Sequence, residues 1–342
     1  MGSENGDDDQ IAASDLPRPC PPIRSRYFPP VPYPVLIAAE LRDLLTPADL
    51  ADLDVTWMAA EEPVPQGDFV AIVPLLSRWV GGTELKRLPN LRIIANCAAG
   101  YNNVDVVAAE MRKVTVTNTP DVLTDATADL TWTLILACAR RLLEGIALIR
   151  SGTWAGWHPT ELLGLELRDK TLGLVGAGRI GQAVGRRATG FGMRILYAAR
   201  SAKAEFERDT GAGRVELGPL LKDSDVVSLH VPSTPETKGM INSDTLARMK
   251  PGAILVNTAR GDLVREEALA MALEEGRLGA AGLDVYADEP AIHPRLLAAP
   301  RTVLLPHIGS ATGDTRRRMA ALALANVRAV LQGQPPLTAV FG

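Results

Sequence analysis

Cysteines, histidines and long apolar runs are all scarce in this chain of 342 residues, and each shortage narrows what it can be. Cys20, Cys97 and Cys138 are odd in number and far apart, which suits neither a disulfide framework nor a metal cluster. No metal is expected, and a reducing cytoplasm is the expected setting. The longest apolar stretch, Leu130 to Ala139, is interrupted by Thr131 and Thr133 and is too short to span a bilayer. No membrane association is expected. A basic excess is also missing: 36 Lys and Arg stand against 40 Asp and Glu, a net charge of -4, so nucleic acid is a poor partner. No repeat of solenoid length is present. With 46% hydrophobic and 22% charged residues, the composition is that of a globular protein long enough for two domains.

Residues 1–32 read differently from the rest. Asp7-Asp8-Asp9 precede Pro17, Pro19, Pro21, Pro22, Pro29, Pro30, Pro32 and Pro34, which predicts an extended or disordered tail. The segment has no apolar core for a secretory signal, is too acidic for a transit peptide, and carries Gly6 where a myristoylation site needs Ser or Thr. It is expected to be dispensable.

From Val35 onward, short apolar runs alternate with helical stretches. Five strands are predicted at residues 35–38, 55–58, 69–73, 91–95 and 114–117, followed by one long helix over 124–150. A second series begins at Thr171, with further strands over 194–198, 226–230, 253–257, 279–285 and 302–305. A last helix is expected over 313–331, stopped by Gly333, Pro335 and Pro336. The fold class is α/β: two doubly wound parallel sheets, one flavodoxin-like and one Rossmann-like, with a cleft between. Because the last helix can cross back, the substrate domain is expected over 33–120 plus 309–342, and the dinucleotide-binding domain over 121–308.

Gly176-Ala177-Gly178-Arg179-Ile180-Gly181 follows a strand directly and opens a helix. Gly176 allows the tight turn, Gly178 lets backbone approach a pyrophosphate, and Gly181 lets helix pack on strand. An NAD-specific site needs a carboxylate at the end of the next strand. Here the sequence reads Ala199-Arg200-Ser201-Ala202-Lys203, with room for a 2'-phosphate and with Arg200, Ser201 and Lys203 to bind it. NADP(H) is therefore expected to be preferred, with NAD(H) possible.

Three chemistry-bearing residues close later strands: Arg260 after Ala253 to Asn257, Glu289 after Gly282 to Asp288, and His307 after Val303 to Pro306. Open α/β sheets bind ligands at strand C-termini. A cation that keeps its charge suits a substrate carboxylate, and an imidazole backed by a carboxylate suits proton exchange at a carbonyl. Only four histidines compete for the role, at 158, 230, 293 and 307, and His307 alone is followed by the small residues Gly309-Ser310-Ala311. Reduction of a small 2-oxo acid is the chemistry these groups fit.

Taken together with Asn257-Thr258-Ala259-Arg260-Gly261, Gly282-Leu283-Asp284-Val285-Tyr286, Glu289-Pro290 and Pro306-His307-Ile308-Gly309, the dinucleotide motif makes the chain resemble the D-isomer-specific 2-hydroxyacid dehydrogenase family over residues 34–340. Ala98-Ala99-Gly100-Tyr101-Asn102-Asn103 and Gly156-Trp157-His158-Pro159 make it most like the glyoxylate/hydroxypyruvate reductases. The resemblance implies His307 as acid/base, Glu289 as its partner and Arg260 as clamp. It implies that Leu76 and the backbone N–H groups of Ala99 and Gly100 meet the substrate. Asp284 and Thr127 would lie at the nicotinamide, Thr258 at its ribose, Arg179 and Ile180 at the pyrophosphate, and Val231 and Pro232 at the adenine. It implies a homodimer, paired through the long helix over 124–150, whose Leu130, Leu134, Ala137 and Cys138 recur at helical spacing as the expected stripe. The alternatives are a dehydrogenase for another 2-hydroxy acid, or a dinucleotide-sensing corepressor of the C-terminal-binding-protein type.

Overall fold

The computed structural model describes residues 32–341, so the proline-rich segment up to residue 31 lies outside the described residues. β1 (Tyr33–Ala38), β2 (Leu53–Met58), β3 (Ala71–Val73), β4 (Ile93–Ala95) and β5 (Thr115–Thr117) form the first sheet. All pairs are parallel, in the order β2-β1-β3-β4-β5, so the strand order reverses between β1 and β3. Alternate side chains feed two cores, as the pleat requires. Leu36, Ile72, Ile94 and Val116 pack with Leu85 and Ala109 of the short helices α1 (Gly82–Arg87) and α2 (Val106–Met111).

After β5 the chain crosses to a second unit through α3 (Thr124–Ala139) and α4 (Leu142–Arg150). There follow β6 (Thr171–Val175), α5 (Arg179–Gly190), β7 (Arg194–Ala198), α6 (Ala204–Thr210), β8 (Gly213–Arg214), α7 (Leu217–Asp223) and β9 (Val226–Leu229). The unit is completed by α8 (Ser243–Leu246), β10 (Ile254–Asn257), α9 (Glu266–Glu274), β11 (Ala280–Leu283), α10 (Pro294–Ala298) and β12 (Thr302–Leu304). The seven strands are all parallel, in the order β12-β11-β10-β9-β6-β7-β8. The order reverses between β6 and β9, which is where a doubly wound sheet opens a crevice at its C-terminal edge.

α11 (Gly313–Leu331) returns to the first sheet. Its Met319, Ala320, Ala323, Leu324, Val327 and Leu331 share a core with Val35, Ile37, Ala71, Val73, Ile93 and Ala95. Each large side chain buried there contributes roughly 1.5–3 kcal/mol. Arg328 binds Asp52 through Nε and Nη2 at 2.9 and 2.7 Å, and Arg92 caps the helix end through the Val330 carbonyl at 2.8 Å.

The structure corrects three expectations. The helix expected over 124–150 is two helices, because Arg141 takes a left-handed backbone with φ 51°. The Ala139 carbonyl, which a continuing helix would use, accepts instead from Leu165 N–H at 2.7 Å. Leu134, Ala137 and Cys138, read as an exposed pairing stripe, are buried in their own chain, and Gly282 lets α3 approach β11 at Leu134 and Cys138. The strand expected over 279–285 ends at Leu283, which frees Asp284 for the loop beyond. No helix among the described residues is long and apolar enough to cross a membrane.

Candidate active site

Asn257 sets the direction in which the chain leaves β10. Its side chain donates to the Arg260 carbonyl at 2.8 Å and accepts from Ala259 N–H at 3.0 Å, closing a turn that sends Arg260 out of the sheet. The guanidinium crosses to the loop after β4. It lies so close to Gly100 that a Cβ there would overlap it, and its Nε donates to Asn102 Oδ1 at 3.4 Å. Burial pushes the Arg260 pKa down, against the pull of Glu289 and Asp262.

Glu289 Oε2 lies 2.7 Å from His307 Nδ1, and Glu289 Oε1 accepts from Tyr286 N–H at 2.9 Å. Burial works to raise the Glu289 pKa, but the hydrogen bonds from His307 and Tyr286 and the nearby cations outweigh it and hold it below the ordinary carboxylate value. His307 itself has φ 53°, a left-handed turn that few residue types adopt without support. Support comes from Asp284, whose two oxygens accept from Ile308 and Gly309 N–H, each at 2.7 Å. Tyr286 Oη donates to the Leu305 carbonyl at 2.9 Å on the other side of the histidine. Burial raises the Asp284 pKa, opposed by those hydrogen bonds and by His307. Thr127 lies against the same loop and donates to the Gly309 carbonyl at 3.3 Å, while Thr131 and Thr258 share a hydrogen bond of 2.9 Å.

On the facing unit, the carbonyls of Ala99 and Gly100 are held inward by Asn118 Nδ2 at 2.6 Å and Asn96 Nδ2 at 2.8 Å. The N–H groups of Ala99 and Gly100 donate to no acceptor among the described residues. Paired free N–H groups of this kind form a concavity for an anion. Leu76 is half-buried on the neighbouring loop, and Asn103 ties that loop in by donating to the Leu75 and Arg78 carbonyls at 3.1 and 3.0 Å.

The glycine-rich turn sits at the reversal of the second sheet. A Cβ at Gly176 would collide with the His230 carbonyl and Val231, one at Gly181 would overlap the Gly176 carbonyl, and one at Gly178 would meet nothing within 4 Å. Gly178 is also the N-cap of α5 and carries no side-chain cap, so the helix presents its first N–H groups outward. Pro232 is exposed beside Val231. Arg179 ion-pairs with Asp121 on the crossing from the first unit, and Ile180 packs against the cores of both units. At the end of β7, Arg200 and Ser201 are exposed, Lys203 Nζ donates to Ser201 Oγ at 3.1 Å, and Tyr197 engages Glu207 below. Arg214, which sequence reading missed, donates to the Ala199 and Arg200 carbonyls at 2.9 and 3.1 Å. Only the pairing of β8 with β7 brings it there.

Residues 132–309 match the family model described as D-isomer specific 2-hydroxyacid dehydrogenase, NAD binding domain. A glyoxylate reductase from Thermococcus onnurineus is 50% identical over 277 residues, covering 80% of this chain and 83% of that protein. The chain belongs to the D-isomer specific 2-hydroxyacid dehydrogenases. Among solved structures, the TT0316 protein from Thermus thermophilus superposes with a TM-score of 0.81 at 44% identity, covering 90% of this chain and 100% of that one. An NADPH-dependent glyoxylate/hydroxypyruvate reductase from Sinorhizobium meliloti, solved with NADP and malonate, gives 0.80 at 33% identity, covering 90% and 96%. Membership gives this dehydrogenase a nicotinamide dinucleotide as cofactor, and the open backbone at Gly178 with the uncapped α5 fits its pyrophosphate.

Proposed function

We propose that the chain reduces a small 2-oxo acid, glyoxylate or hydroxypyruvate, to the D-2-hydroxy acid with NADPH in preference to NADH. The observation that carries this is the His307–Glu289 pair at 2.7 Å on the same cleft as Arg260 and the free N–H groups of Ala99 and Gly100. Arg260 and those N–H groups bind the substrate carboxylate, and Leu76 covers it. Arg260 also stabilises the charge growing on the carbonyl oxygen. Glu289 holds Nδ1 of His307, which leaves Nε2 to deliver a proton to that oxygen. When bound, the nicotinamide supplies the hydride. Thr127 and Asp284 hold the nicotinamide side, Thr258 the adjoining ribose, Arg179 and Ile180 the pyrophosphate, and Val231 and Pro232 the adenine. Residues 33–120 with 309–342 form the substrate side, residues 121–308 the dinucleotide side, and two copies associate as a homodimer.

The cofactor preference rests on the β7 rim, where Arg200, Lys203 and Arg214 gather positive charge beside the Ser201 hydroxyl, at the place where an NAD-specific site carries a carboxylate. One charge-assisted hydrogen bond to a 2'-phosphate contributes about 1.5–3 kcal/mol, enough for roughly ten- to hundredfold discrimination. The test is kcat/KM for glyoxylate, hydroxypyruvate, pyruvate and 2-oxoglutarate with both cofactors, in wild type, Arg200→Ala and Ala199→Asp. NADPH is expected to win by about tenfold in wild type and to lose its lead in Ala199→Asp. Equal or better use of NADH by wild type would overturn the preference, and no turnover of any 2-oxo acid would favour the corepressor reading.

A further inference from the structure

Glu289 sits on the loop that joins β11 to α10, and a loop alone does not hold a side chain to the tolerance that proton transfer demands. Both ends of this loop converge on one side chain outside the cleft. Glu266 accepts the Ala287 N–H on Oε1 at 2.7 Å and the His293 N–H on Oε2 at 3.1 Å. Between those two points the chain doubles back, with Asp288 and Ala291 bridged antiparallel and Ala291 N–H donating to the Asp288 carbonyl at 2.9 Å. Glu266 is the first residue of α9, whose Leu269, Ala270 and Leu273 are buried in the second unit's core. The preceding Arg265 N–H is fixed to the Ile241 carbonyl at 2.8 Å. The carboxylate is thus carried by a rigid element. Gly261 presses on the same loop from the side, so close to the Tyr286 and Ala287 backbone that a Cβ there would overlap it.

We propose that Glu266 is a positioning residue of the proton-transfer site: it staples the two ends of the 287–293 loop so that Glu289 is held where it orients His307. The inference rests on the reading of His307 and Glu289 as the acid–base pair. The linkage runs from Glu266 through Ala287 N–H to the adjacent Tyr286 N–H, which grips Glu289 Oε1, and on through Glu289 Oε2 to His307 Nδ1. Two separate N–H donors need two acceptor oxygens, and a carboxylate supplies both as charge-assisted bonds. A glutamine supplies one oxygen and sets its own NH2 against the second donor. The loop would then loosen at one end, and misplacement of a catalytic group by about 1 Å costs up to roughly a hundredfold in rate.

The experiment compares Glu266→Gln, Glu266→Asp, Glu289→Gln and the double variant Glu266→Gln/Glu289→Gln with wild type, in the full chain with NADPH and glyoxylate, and His307→Ala in parallel. Glu266→Gln is expected to lower kcat about tenfold or more, with NADPH affinity and Tm near wild type. In the Glu289→Gln background the same change is expected to alter kcat by less than about twofold, because its effect passes through Glu289. Glu266→Asp keeps both oxygens and is expected to retain more kcat than Glu266→Gln. Wild-type kcat in Glu266→Gln, an equal loss in both backgrounds, a loss confined to cofactor affinity, or the reverse ranking of Asp and Gln would each overturn the proposal. Near-normal turnover in His307→Ala would instead sink the acid–base reading on which it stands.

Discussion

At the scale of single residues, Gly100 matters for the side chain it lacks. The Arg260 guanidinium occupies the space where any Cβ at position 100 would lie. Gly100→Ala must therefore displace the Arg260 guanidinium, and, if Arg260 is the proposed clamp, kcat/KM for a 2-oxo acid should fall about a hundredfold while NADPH affinity holds. Steady-state kinetics and a cofactor titration separate the two, and unchanged kcat/KM would contradict the placement of Arg260. His230 carries a pH prediction. Its Nε2 lies 2.9 Å from Ser228 Oγ, and burial pushes its pKa down from 6.5 to about 4. The unfolded chain takes up a proton below 6.5 that the folded chain refuses until about 4. The contribution to stability is thus complete above the unfolded value and is lost as pH falls through that window, by up to about 3 kcal/mol. Denaturant titrations from pH 7 to 4 should show a steeper loss in wild type than in His230→Gln, and identical slopes would contradict this. That Arg260, Glu289 and His307 face one cleft was legible in the sequence, because each lies on the loop that follows a strand, where ligands gather. Asn102, Arg214 and Glu266 were not, since their partners lie far along the chain and only the folded backbone reveals them.

Among the elements, α11 was legible to the residue, because Thr312 caps it by accepting from Thr315 N–H at 3.1 Å and Gly333 ends it at φ 74°. These are local signals. The break after α3 was illegible because it depends on Leu165, a residue a full helix away, claiming a carbonyl. That break leaves the exposed apolar face on α4 rather than on α3. Nothing in α4 is buried, and Leu142, Leu143, Ile146 and Ile149 are exposed, as are Trp154, Trp157 and Leu163 beyond it. A contiguous exposed apolar helix face is the kind of surface that association covers, and a two-fold contact is the simplest closed one. If the homodimer reading is right, Leu143→Glu with Ile146→Glu should convert dimer to monomer in sedimentation at micromolar concentration. A wild type that sediments only as monomer would refute it.

For the whole molecule, alternating strands and helices were enough to give two parallel sheets, since each run of four or five apolar residues between turn signals has few other places to go. The unit formed by the first sheet is built from both ends of the described chain. Removing residues 313–342 would strip α11 from Val35, Ile37, Ala71, Val73, Ile93 and Ala95. Such a chain should aggregate or lose its near-ultraviolet circular dichroism, whereas removing residues 1–30 should leave activity and assembly intact. A soluble, native-like truncation at residue 312 would contradict the first expectation, and lost activity on tail removal the second. The return of α11 also means that the backbone passes between the units twice, once between β5 and α3 and once between β12 and α11. A lid on one strap can swing, slide and twist; a lid on two hinges only opens and shuts about the line between them. Each closure should therefore bring hydride donor and acceptor to the same alignment, with no torsional search to slow it.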